Sequence, residues 1–316
     1  MREIGGYFGL ELFSGDPYHA DLNAVNSGRN ALLYILKARG YRKIYIPRFL
    51  CDTVAELCRR EGVGYEEYGI SPDFMPLFEG SPGENEAVYI VNFYGQLSDA
   101  LLWKMKARWG SVIVDHVQDF FRKPLPGVDT VYSCRKFFGV PDGGYAACEG
   151  AALKLEMDVS RERMTHILGR FEDCGSAYYR DFQANDEGFY DMPLRKMSGL
   201  TQNILRAVDY DAVRIVRNSN YAFLEAKLGK KNRLRLTMPD GPYCYPFYCK
   251  NGMAVKKRLA EEKIYIPTLW PNVLMKPEAT ALERDYAENI LPLPCDQRYS
   301  CEDMNRMAEK IIECLD

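Results

Sequence analysis

The sequence predicts an α/β fold in which a mainly parallel sheet is sandwiched by helices and a smaller α+β unit follows. In the first two-thirds of the 316-residue chain, segments with helical apolar spacing alternate with short apolar runs typical of strands. Strand–helix–strand repetition of this kind predicts parallel strands with helices on both faces. From about Arg233 onward the pattern changes to a mixture of short strands and helices. We therefore expect a large unit over residues 1–205, and a connector helix with a small C-terminal α+β domain over 206–316.

Two helices and one strand begin the alternation. A helix is expected from Arg29, in NALLYILKARG, because its apolar residues recur at helical spacing up to Gly40. The run KIYIP predicts a short strand. DTVAELCRREG predicts a second helix, with Asp52 or Thr53 as its N-cap and Gly62 just past its end.

The later elements follow from the same patterns. AVYIVNFYG and SVIVDHVQ predict buried strands on either side of a helix in LLWKMKARWG. After Gly150 the run ALKLEMDVSRERMTHILGRFE predicts a helix, a polar segment reaches Met192, and a long connector helix is expected from roughly Gly199 to Leu228. In the C-terminal part, strands are expected in RLRLTM, YCYPFYCK and IYIPTLW, and helices in MAVKKRLAEEK and CEDMNRMAEKIIECL.

Composition excludes several classes of function. A formal net charge of −3 gives no electrostatic reason to expect nucleic acid or an acidic membrane as partner. The N-terminal residues lack the pattern of a signal peptide, and no apolar run reaches the ~18–20 residues that cross a bilayer. The ten cysteines are scattered without a C-x-x-C pair, and only three histidines could complete a metal site. We therefore expect reduced thiols, no metal and a cytoplasmic protein.

The segment NSGRNAL, residues 26–32, is a candidate anion site. It places Ser27, Gly28 and Arg29 directly before a helix, where backbone N–H groups and the helix dipole favour a phosphate. The alternative is that Ser27 and Gly28 form an ordinary helix cap.

The segment VIVDHVQDF places a carboxylate at a strand end. Asp115 ends a hydrophobic strand, and ligands in parallel α/β sheets bind beyond the carboxyl ends of the strands. Gln118 follows three residues later and could reach the same ligand. The alternative for Asp115 is a helix N-cap.

The segment TVYSCRKFFGVPDGG embeds a lysine among aromatic residues. We expect Lys136 to be partly desolvated by Tyr132, Phe137 and Phe138, which favours its neutral, nucleophilic form. The alternative is a surface lysine whose amine extends into solvent. The Gly143-Gly144 pair that follows allows a tight turn or a close backbone approach.

The order of these features indicates one cofactor. Pyridoxal phosphate needs an anion site for its phosphate, an acid that keeps its ring nitrogen protonated, and a lysine that forms a Schiff base with it. The residues around Ser27, then Asp115, then Lys136 supply these three anchors in that order. A further cluster, NFYGQ at residues 92–96, could line the same site or be a simple strand-to-loop transition.

The sequence resembles the DegT/DnrJ/EryC1/StrS family of pyridoxal-phosphate aminotransferases, which modify sugars, along nearly its whole length. NSGRNAL is similar to the family's Ser-Gly-Thr-x-Ala-Leu helix start, and IYIPRFLCDTV to the strand and loop that follow it. VNFYGQLSD is similar to its (His/Asn)-aromatic-Tyr-Gly-Gln segment, and VIVDHVQD to its strand ending Glu-Asp-Ala-Ala-Gln. KFFGVPDGGYAAC is similar to the block from the cofactor-binding lysine to Gly-Glu-Gly-Gly, and ILPLPCDQRYSCEDMNRMAEKI to the closing strand and last helix.

This resemblance implies the pyridoxal-phosphate-dependent transferase fold of type I and a set of roles. Lys136 would bind the cofactor covalently, Asp115 would pair with its ring nitrogen, and Gln118 would contact the ring face or the 3-hydroxyl. The residues implied around the phosphate are Ser27, Gly28, Arg29 and Ser133, and Phe49 is the candidate for stacking on the ring. The family also implies a homodimer whose partner chain completes the site.

Three departures from the family pattern concern binding. Arg29 stands where the family has threonine, and Ser133 lies three residues before Lys136 rather than five. The family's Asn-x-Arg-Met element, which reaches the other subunit's phosphate, is present only as LRKMS at residues 194–198, without the asparagine.

The functional hypothesis is a pyridoxal-phosphate-dependent aminotransferase. It would move an amino group from an amino acid, glutamate in the family, to a keto sugar with or without a nucleotide attached, in polysaccharide or amino-sugar biosynthesis. One alternative is a lyase or dehydratase on the same fold, but related sugar dehydratases carry histidine where this chain has Lys136. A second alternative is a non-catalytic or regulatory protein on this scaffold. A dinucleotide-binding dehydrogenase would need G-x-G-x-x-G after the first strand, and the sequence lacks it.

Overall fold

The computed structural model describes residues 4–150 and 152–315, which contain one eight-stranded sheet and one two-stranded sheet. The strands are β1 (Asn23–Val25), β2 (Lys43–Pro47), β3 (Gly64–Ile70), β4 (Pro76–Leu77), β5 (Glu86–Val91), β6 (Val112–Asp115), β7 (Asp129–Ser133), β8 (Gly144–Ala147), β9 (Tyr245–Tyr248) and β10 (Ile290–Leu293). The helices are α1 (Gly28–Arg39), α2 (Thr53–Glu61), α3 (Asp99–Trp109), α4 (Thr165–Glu172), α5 (Tyr179–Gly188), α6 (Gly199–Leu205), α7 (Tyr210–Leu228), α8 (Gly252–Glu261), α9 (Ala281–Asn289) and α10 (Cys301–Leu315).

The large sheet has the order β1-β8-β7-β6-β5-β2-β3-β4, and its centre is parallel. The pairs β3–β2, β2–β5, β5–β6 and β6–β7 run parallel, whereas β1, β4 and β8 pair with their neighbours in the antiparallel direction. The prediction of a mainly parallel sheet flanked by helices is therefore confirmed.

Helices cover both faces of the sheet because the central strands are apolar on both. Val88 and Ile90 of β5 pack in one hydrophobic cluster with residues of α3, such as Leu102. Ala87 and Tyr89 face the opposite way and pack in a second cluster with α1 and α2. Burial on both faces explains why these strands read as continuous apolar runs.

The helix ends agree with their capping residues. Ser27 accepts a hydrogen bond from the Asn30 N–H at the start of α1, and Gly40 ends this helix in the left-handed conformation with φ = 70°. Gly62 ends α2 in the same way, with φ = 68°. The first helix thus begins at Gly28, one residue earlier than predicted.

Two of the predicted helices are wrong in part. Only residues 165–172 of the segment expected to be helical after Gly150 form an α-helix. Residues 152–156 form neither helix nor strand; Leu153 and Leu155 pack against the core, while Lys154 between them is exposed. The connector predicted over 199–228 is two helices, because Asp209 caps a new helix by accepting a hydrogen bond from the Ala212 N–H.

Two predicted strands in the C-terminal part are absent from the described residues. Residues 233–238 and 264–270 form neither helix nor strand, so β9 and β10 alone make the small antiparallel sheet. This sheet packs with α7, α8 and α10 around a separate core that includes Leu224, Phe247 and Leu291. The boundary predicted between residues 205 and 206 stays a prediction.

None of the helices in the described residues combines the length and the apolar character needed to cross a membrane. All ten cysteines are free thiols.

Two buried histidines should make stability depend on pH. His19 donates from Nε2 to the Phe120 carbonyl at 2.7 Å, and His116 Nδ1 lies 3.3 Å from the Asn92 amide nitrogen. Burial lowers the pKa of each imidazole from 6.5 to about 3. Below pH 6.5 the unfolded chain therefore binds protons that the folded chain excludes, and the free energy of unfolding falls by about 1.4 kcal/mol per pH unit for each histidine.

The free energy of unfolding is measured by urea denaturation at several pH values between about 6.5 and 4. We expect His19→Gln to remove one of these two contributions to its slope against pH. His166, which is only half-buried, is the matched control, and His166→Gln should change the slope less. An unchanged slope in His19→Gln would contradict the assignment.

Candidate active site

The candidate site lies where the carboxyl end of β6 meets the start of α1 and the loop after β7. Side chains alternate along β6, so Asp115 shares the face of Ile113, which packs in the same cluster as α1. Asp115 is paired with Val91 of β5 and Val131 of β7. The last residue of β6 thus faces the crevice between the sheet and α1.

The start of α1 is close to the end of β7. A Cβ atom added at Gly28 would lie 3.1 Å from Ser133 Cβ and 3.5 Å from Val117 Cγ1. The structure therefore brings Ser27, Gly28 and Ser133 together, as the sequence predicted. The Asn30 N–H in the first turn of α1 already donates to Ser27 Oγ, whereas the N–H groups of Gly28 and Arg29 lie outside the helix's own hydrogen-bond ladder, so an anion can use these two.

The glycine pair after the lysine permits this arrangement. A Cβ at Gly144 would lie 2.5 Å from the carbonyl carbon of Ser27, which leaves no room for any other residue. Gly143 has φ = 116° and donates its N–H to the Asn26 carbonyl at 2.9 Å. Of the two uses predicted for this pair, a tight turn or a close backbone approach, the close backbone approach is present.

The Arg29 side chain contacts the segment that follows α5. Its Nη1 donates to the Phe189 carbonyl at 2.8 Å, and its guanidinium carbon lies 6.0 Å from the Tyr190 ring centroid. Burial lowers the pKa of this guanidinium, and its Nε is buried with no hydrogen-bond partner in the described part of the chain. Its backbone N–H belongs to the same first turn of α1.

Asp115 is a buried carboxylate that the protein holds on both oxygens. The Tyr89 hydroxyl donates to Oδ2 at 2.5 Å, and the Val117 N–H donates to Oδ1 at 2.8 Å. Burial raises the pKa of Asp115, while the charge of Lys136 and these two hydrogen bonds act in the opposite direction. The carboxylate and the lysine amine are therefore near enough to interact electrostatically.

Gln118 is buried and supports the NFYGQ segment. Its Oε1 accepts the N–H of Tyr94 at 2.9 Å, and Tyr94 has the left-handed φ of 54°. Asn92 in turn donates to Asp119 at 2.8 Å and accepts the Leu97 N–H at 2.8 Å. The NFYGQ cluster thus has at least a structural role beside the site.

The interpretation of Lys136 as an amine desolvated by its aromatic neighbours is wrong. Lys136 is exposed, and its Nζ lies 5.8 Å from the ring centroid of Tyr243. Phe137 and Phe138 point the other way and pack on Phe120, with ring centroids 5.5 Å and 5.0 Å apart. The chain turns directly after β7, so side chains that are adjacent in sequence diverge in space.

Phe49 is not brought to the crevice. Its side chain is fully buried in an aromatic cluster, with ring centroids 4.6 Å from Trp270 and 5.4 Å from Phe93. No ring face of Phe49 is available to a ligand in this arrangement.

Sequence reasoning missed two residues of the site. Tyr89, the donor to Asp115, lies on the same face of the sheet, and the period-2 alternation of β5 and β6 could have indicated it. Tyr243 comes from the C-terminal part and no local pattern connects it with Lys136.

Solved structures show which known fold this arrangement belongs to. The DegT DnrJ EryC1 StrS aminotransferase of Brucella abortus is 17% identical, with a TM-score of 0.65 over 93% of this chain and 86% of that one. DesV of S. venezuelae, crystallised with a ketimine intermediate, is 19% identical, with a TM-score of 0.63 over 93% and 84%. NtdA of Bacillus subtilis, with bound cofactor PMP, is 16% identical, with a TM-score of 0.65 over 96% and 78%.

The chain therefore has the fold of these aminotransferases, which confirms the predicted pyridoxal-phosphate-dependent transferase fold of type I. The Brucella neighbour carries the name of the family that the sequence resembles. No model of a known protein family matches the chain, and no curated protein does either.

We expect Asp115→Asn to stabilise the protein at neutral pH. Because the pKa of Asp115 is raised above 3.8 on folding, the folded state loses stability relative to the unfolded chain as pH rises through the raised value. Asparagine has nearly the same shape and cannot ionise. The gain in the free energy of unfolding over wild type should therefore be largest at pH 7 and shrink toward pH 3.8.

Asp303→Asn is the control of opposite sign. Hydrogen bonds from Ser300 lower the pKa of Asp303, so its ionised form stabilises the fold and its replacement should cost stability at neutral pH. A pH-independent difference between wild type and Asp115→Asn would contradict the expected linkage.

Proposed function

We propose that the protein is a pyridoxal-phosphate-dependent aminotransferase of the DegT/DnrJ/EryC1/StrS family that transfers an amino group to a keto sugar. The observation that carries this proposal is the convergence of three chemically distinct groups at one crevice. These are the first turn of α1, the buried carboxylate of Asp115 and the exposed amine of Lys136. They lie on a fold shared with structures solved in PLP and PMP forms.

The residues fit this cofactor. Ser27, Gly28 and Ser133 form a cradle too narrow for a side chain at Gly28 without displacement, and the N-terminus of α1 favours an anion there. Arg29 adds a positive charge to the same turn, and its unpartnered Nε supports a polar contact. Asp115 would pair with the ring nitrogen, with Gln118 beside the ring, and Lys136 would bind the cofactor covalently.

When bound, the cofactor supplies an electron sink for the carbon from which a proton is removed. The protein's own groups then have two tasks. Asp115 must be ionised to hold a protonated ring nitrogen, and the hydrogen bonds from Tyr89 and Val117 favour that ionised form. Lys136, whose side chain is exposed, would take the proton from the donor's α-carbon as general base and give it back as general acid within the same half-reaction.

The substrate class is an amino-acid donor and a keto sugar. CalS13 of Micromonospora echinospora is a sugar aminotransferase with the same fold, and the PseC structure is described as an aminotransferase of pseudoaminic acid biosynthesis. We infer glutamate as donor, and a keto sugar with or without a nucleotide, used in polysaccharide or amino-sugar biosynthesis. Ten free thiols are typical of a reducing compartment, and we place the reaction in the cytoplasm.

A second copy of the chain would complete the site. The hairpin of α4 and α5 borders the crevice, because Asp186 pairs with Arg135 at 3.0 Å and Phe189 accepts from Arg29. This hairpin exposes a group of large apolar side chains, called here the hairpin patch: Leu168, Phe171, Tyr179, Phe182 and Tyr190. Exposed apolar groups that lie together mark interaction surfaces, which supports a homodimer with its interface beside Lys136.

Lys136→Ala should abolish amine transfer, because the proposal assigns to this one amine both the covalent bond to the cofactor and the proton transfer. The protein is incubated with pyridoxal phosphate and then L-glutamate, and the visible absorption of the bound cofactor is followed before keto sugars are screened. Lys104→Ala, which removes an exposed lysine on α3, is the matched control and should behave as wild type. Normal turnover by Lys136→Ala would overturn the assignment.

Phe171→Asp should convert the dimer into a monomer, because it puts a charge into an apolar interface. Phe171 is 90% exposed in the single chain. Sedimentation velocity measures the change, and Ile215→Asp, at an exposed apolar position on α7, is the control that should leave the dimer intact. A dimer that persists in Phe171→Asp places the interface elsewhere.

A further inference from the structure

We propose that Arg217 and Gln297 are positioning residues that hold Lys136 in place through the backbone carbonyl of Phe137. This inference rests on the proposed function, since it concerns the lysine to which the cofactor would bind. Neither residue touches the reacting atoms, and each donates to the Phe137–Phe138 peptide group, the second peptide group after the lysine.

Arg217 is buried inside the protein although it carries a charge. Its side chain is 1% exposed, and it lies on α7 with its guanidinium carbon 4.6 Å from the Phe137 ring centroid. Its Nη2 donates to the Phe137 carbonyl at 3.1 Å, its Nη1 to the Pro242 carbonyl at 2.8 Å, and its Nε to Gln297 Oε1 at 2.8 Å. The guanidinium therefore joins three separate segments of the chain at one point.

Gln297 closes this arrangement. Its Nε2 donates to the same Phe137 carbonyl at 2.7 Å, so that oxygen accepts two hydrogen bonds, and Gln297 Oε1 is fixed in turn by Arg217. The neighbouring Asp296 provides the counter-charge for the buried guanidinium, and Arg298 holds that carboxylate with hydrogen bonds of 2.7 Å and 2.8 Å.

The turn that carries Lys136 is fixed on its other side as well. The N–H groups of Phe137 and Phe138 both donate to the Cys134 carbonyl, at 3.0 Å and 2.9 Å. The two peptide groups that follow Lys136 are thus held from within the turn by the Cys134 carbonyl, and the second of them is also held from outside by Arg217 and Gln297. Because the lysine side chain itself is exposed, its direction is set by this backbone rather than by packing around its amine.

Burying the Arg217 guanidinium costs free energy, although it donates hydrogen bonds to three acceptors. Burying a charge carries a desolvation penalty that its partners only offset, and burial lowers the pKa of this guanidinium. A planar fork with several donors gives geometric precision that a single neutral donor lacks. Precision at this peptide is useful if the amine beside it must meet a cofactor held by other segments, since small displacements reduce reactivity strongly.

The experiment uses three variants of the full chain. Gln297→Ala removes one donor to the Phe137 carbonyl, and Arg217→Lys keeps the charge but loses the fork. Asn220→Ala is the matched control. Asn220 is also buried on α7 and donates to the Tyr299 carbonyl at 2.9 Å, in the same loop as Gln297, but its hydrogen bonds do not involve Phe137.

Each protein is mixed with pyridoxal phosphate and quenched with borohydride at increasing times, and the reduced adduct on Lys136 is quantified by mass spectrometry. Unfolding midpoints are measured in parallel.

We expect Gln297→Ala and Arg217→Lys to form the Lys136 adduct about tenfold more slowly than wild type, because the amine no longer has a fixed direction. Asn220→Ala should lose thermal stability and still form the adduct at the wild-type rate. If Arg217→Lys does not fold, Gln297→Ala, whose side chain is only partly buried, still decides the question.

Two results overturn the inference. Either both variants form the adduct as fast as wild type, or the rates of all three variants, Asn220→Ala included, fall in proportion to their loss of stability. A wild-type protein that forms no adduct on Lys136 refutes the proposed function and the inference with it. If only the inference fails, wild type still forms the adduct on Lys136, and the expected difference between the variants is missing.

Discussion

The close approach of two backbone segments, Gly143-Gly144 and Asn26–Gly28, is the contact on which the site depends. It brings the first turn of α1 against the strand that follows the lysine loop. The contact is possible because residue 144 has no Cβ atom, which would lie 2.5 Å from the carbonyl carbon of Ser27. The antiparallel pairing of β1 with β8 sets the register of this contact, with Val25 opposite Gly144. Two segments more than a hundred residues apart in sequence are thereby joined by the hydrogen bond from the Gly143 N–H to the Asn26 carbonyl.

At Asp115, the protonation state that favours folding differs from the one that the proposed reaction requires. Asp115 is buried where an ionised carboxylate is unfavourable, yet the proposed reaction requires the ionised form. The protein compensates locally, with the hydroxyl of Tyr89, the N–H of Val117 and the charge of Lys136. Acids with perturbed pKa values cluster at functional sites, because the chemistry there requires groups whose pKa is shifted.

The sequence predicted the elements whose cause is local and misjudged those whose cause is distant. Helices α1 and α2 were predicted from their apolar spacing and terminal glycines, although Asp52 makes no side-chain cap at the start of α2. Strand β6 was predicted from its apolar run. Residues 152–156 were taken for a helix, since their alternating contacts with the core depend on tertiary packing. The exposure of Lys136 was missed for a similar reason: a turn after β7 sends adjacent side chains in different directions, and apolar neighbours in sequence are then not neighbours in space. Within the site, the glycine pair and the positions of Ser27, Gly28 and Ser133 agreed with prediction, whereas Tyr89, Tyr243, Arg217 and Gln297 come from other strands or from the C-terminal part.

The two donors to the Phe137 carbonyl also bear on the order in which the chain acquires its structure during synthesis. Every strand of the large sheet lies before residue 148, whereas Arg217 and Gln297 are made much later. The Phe137 carbonyl therefore acquires both of its side-chain donors from residues made after the whole sheet. The core on one face of the sheet is also completed by late residues, because Trp270 and Tyr286 pack in the same cluster as α1 and α2. The C-terminal part of the chain thus closes both the core of the large sheet and the turn that carries the lysine.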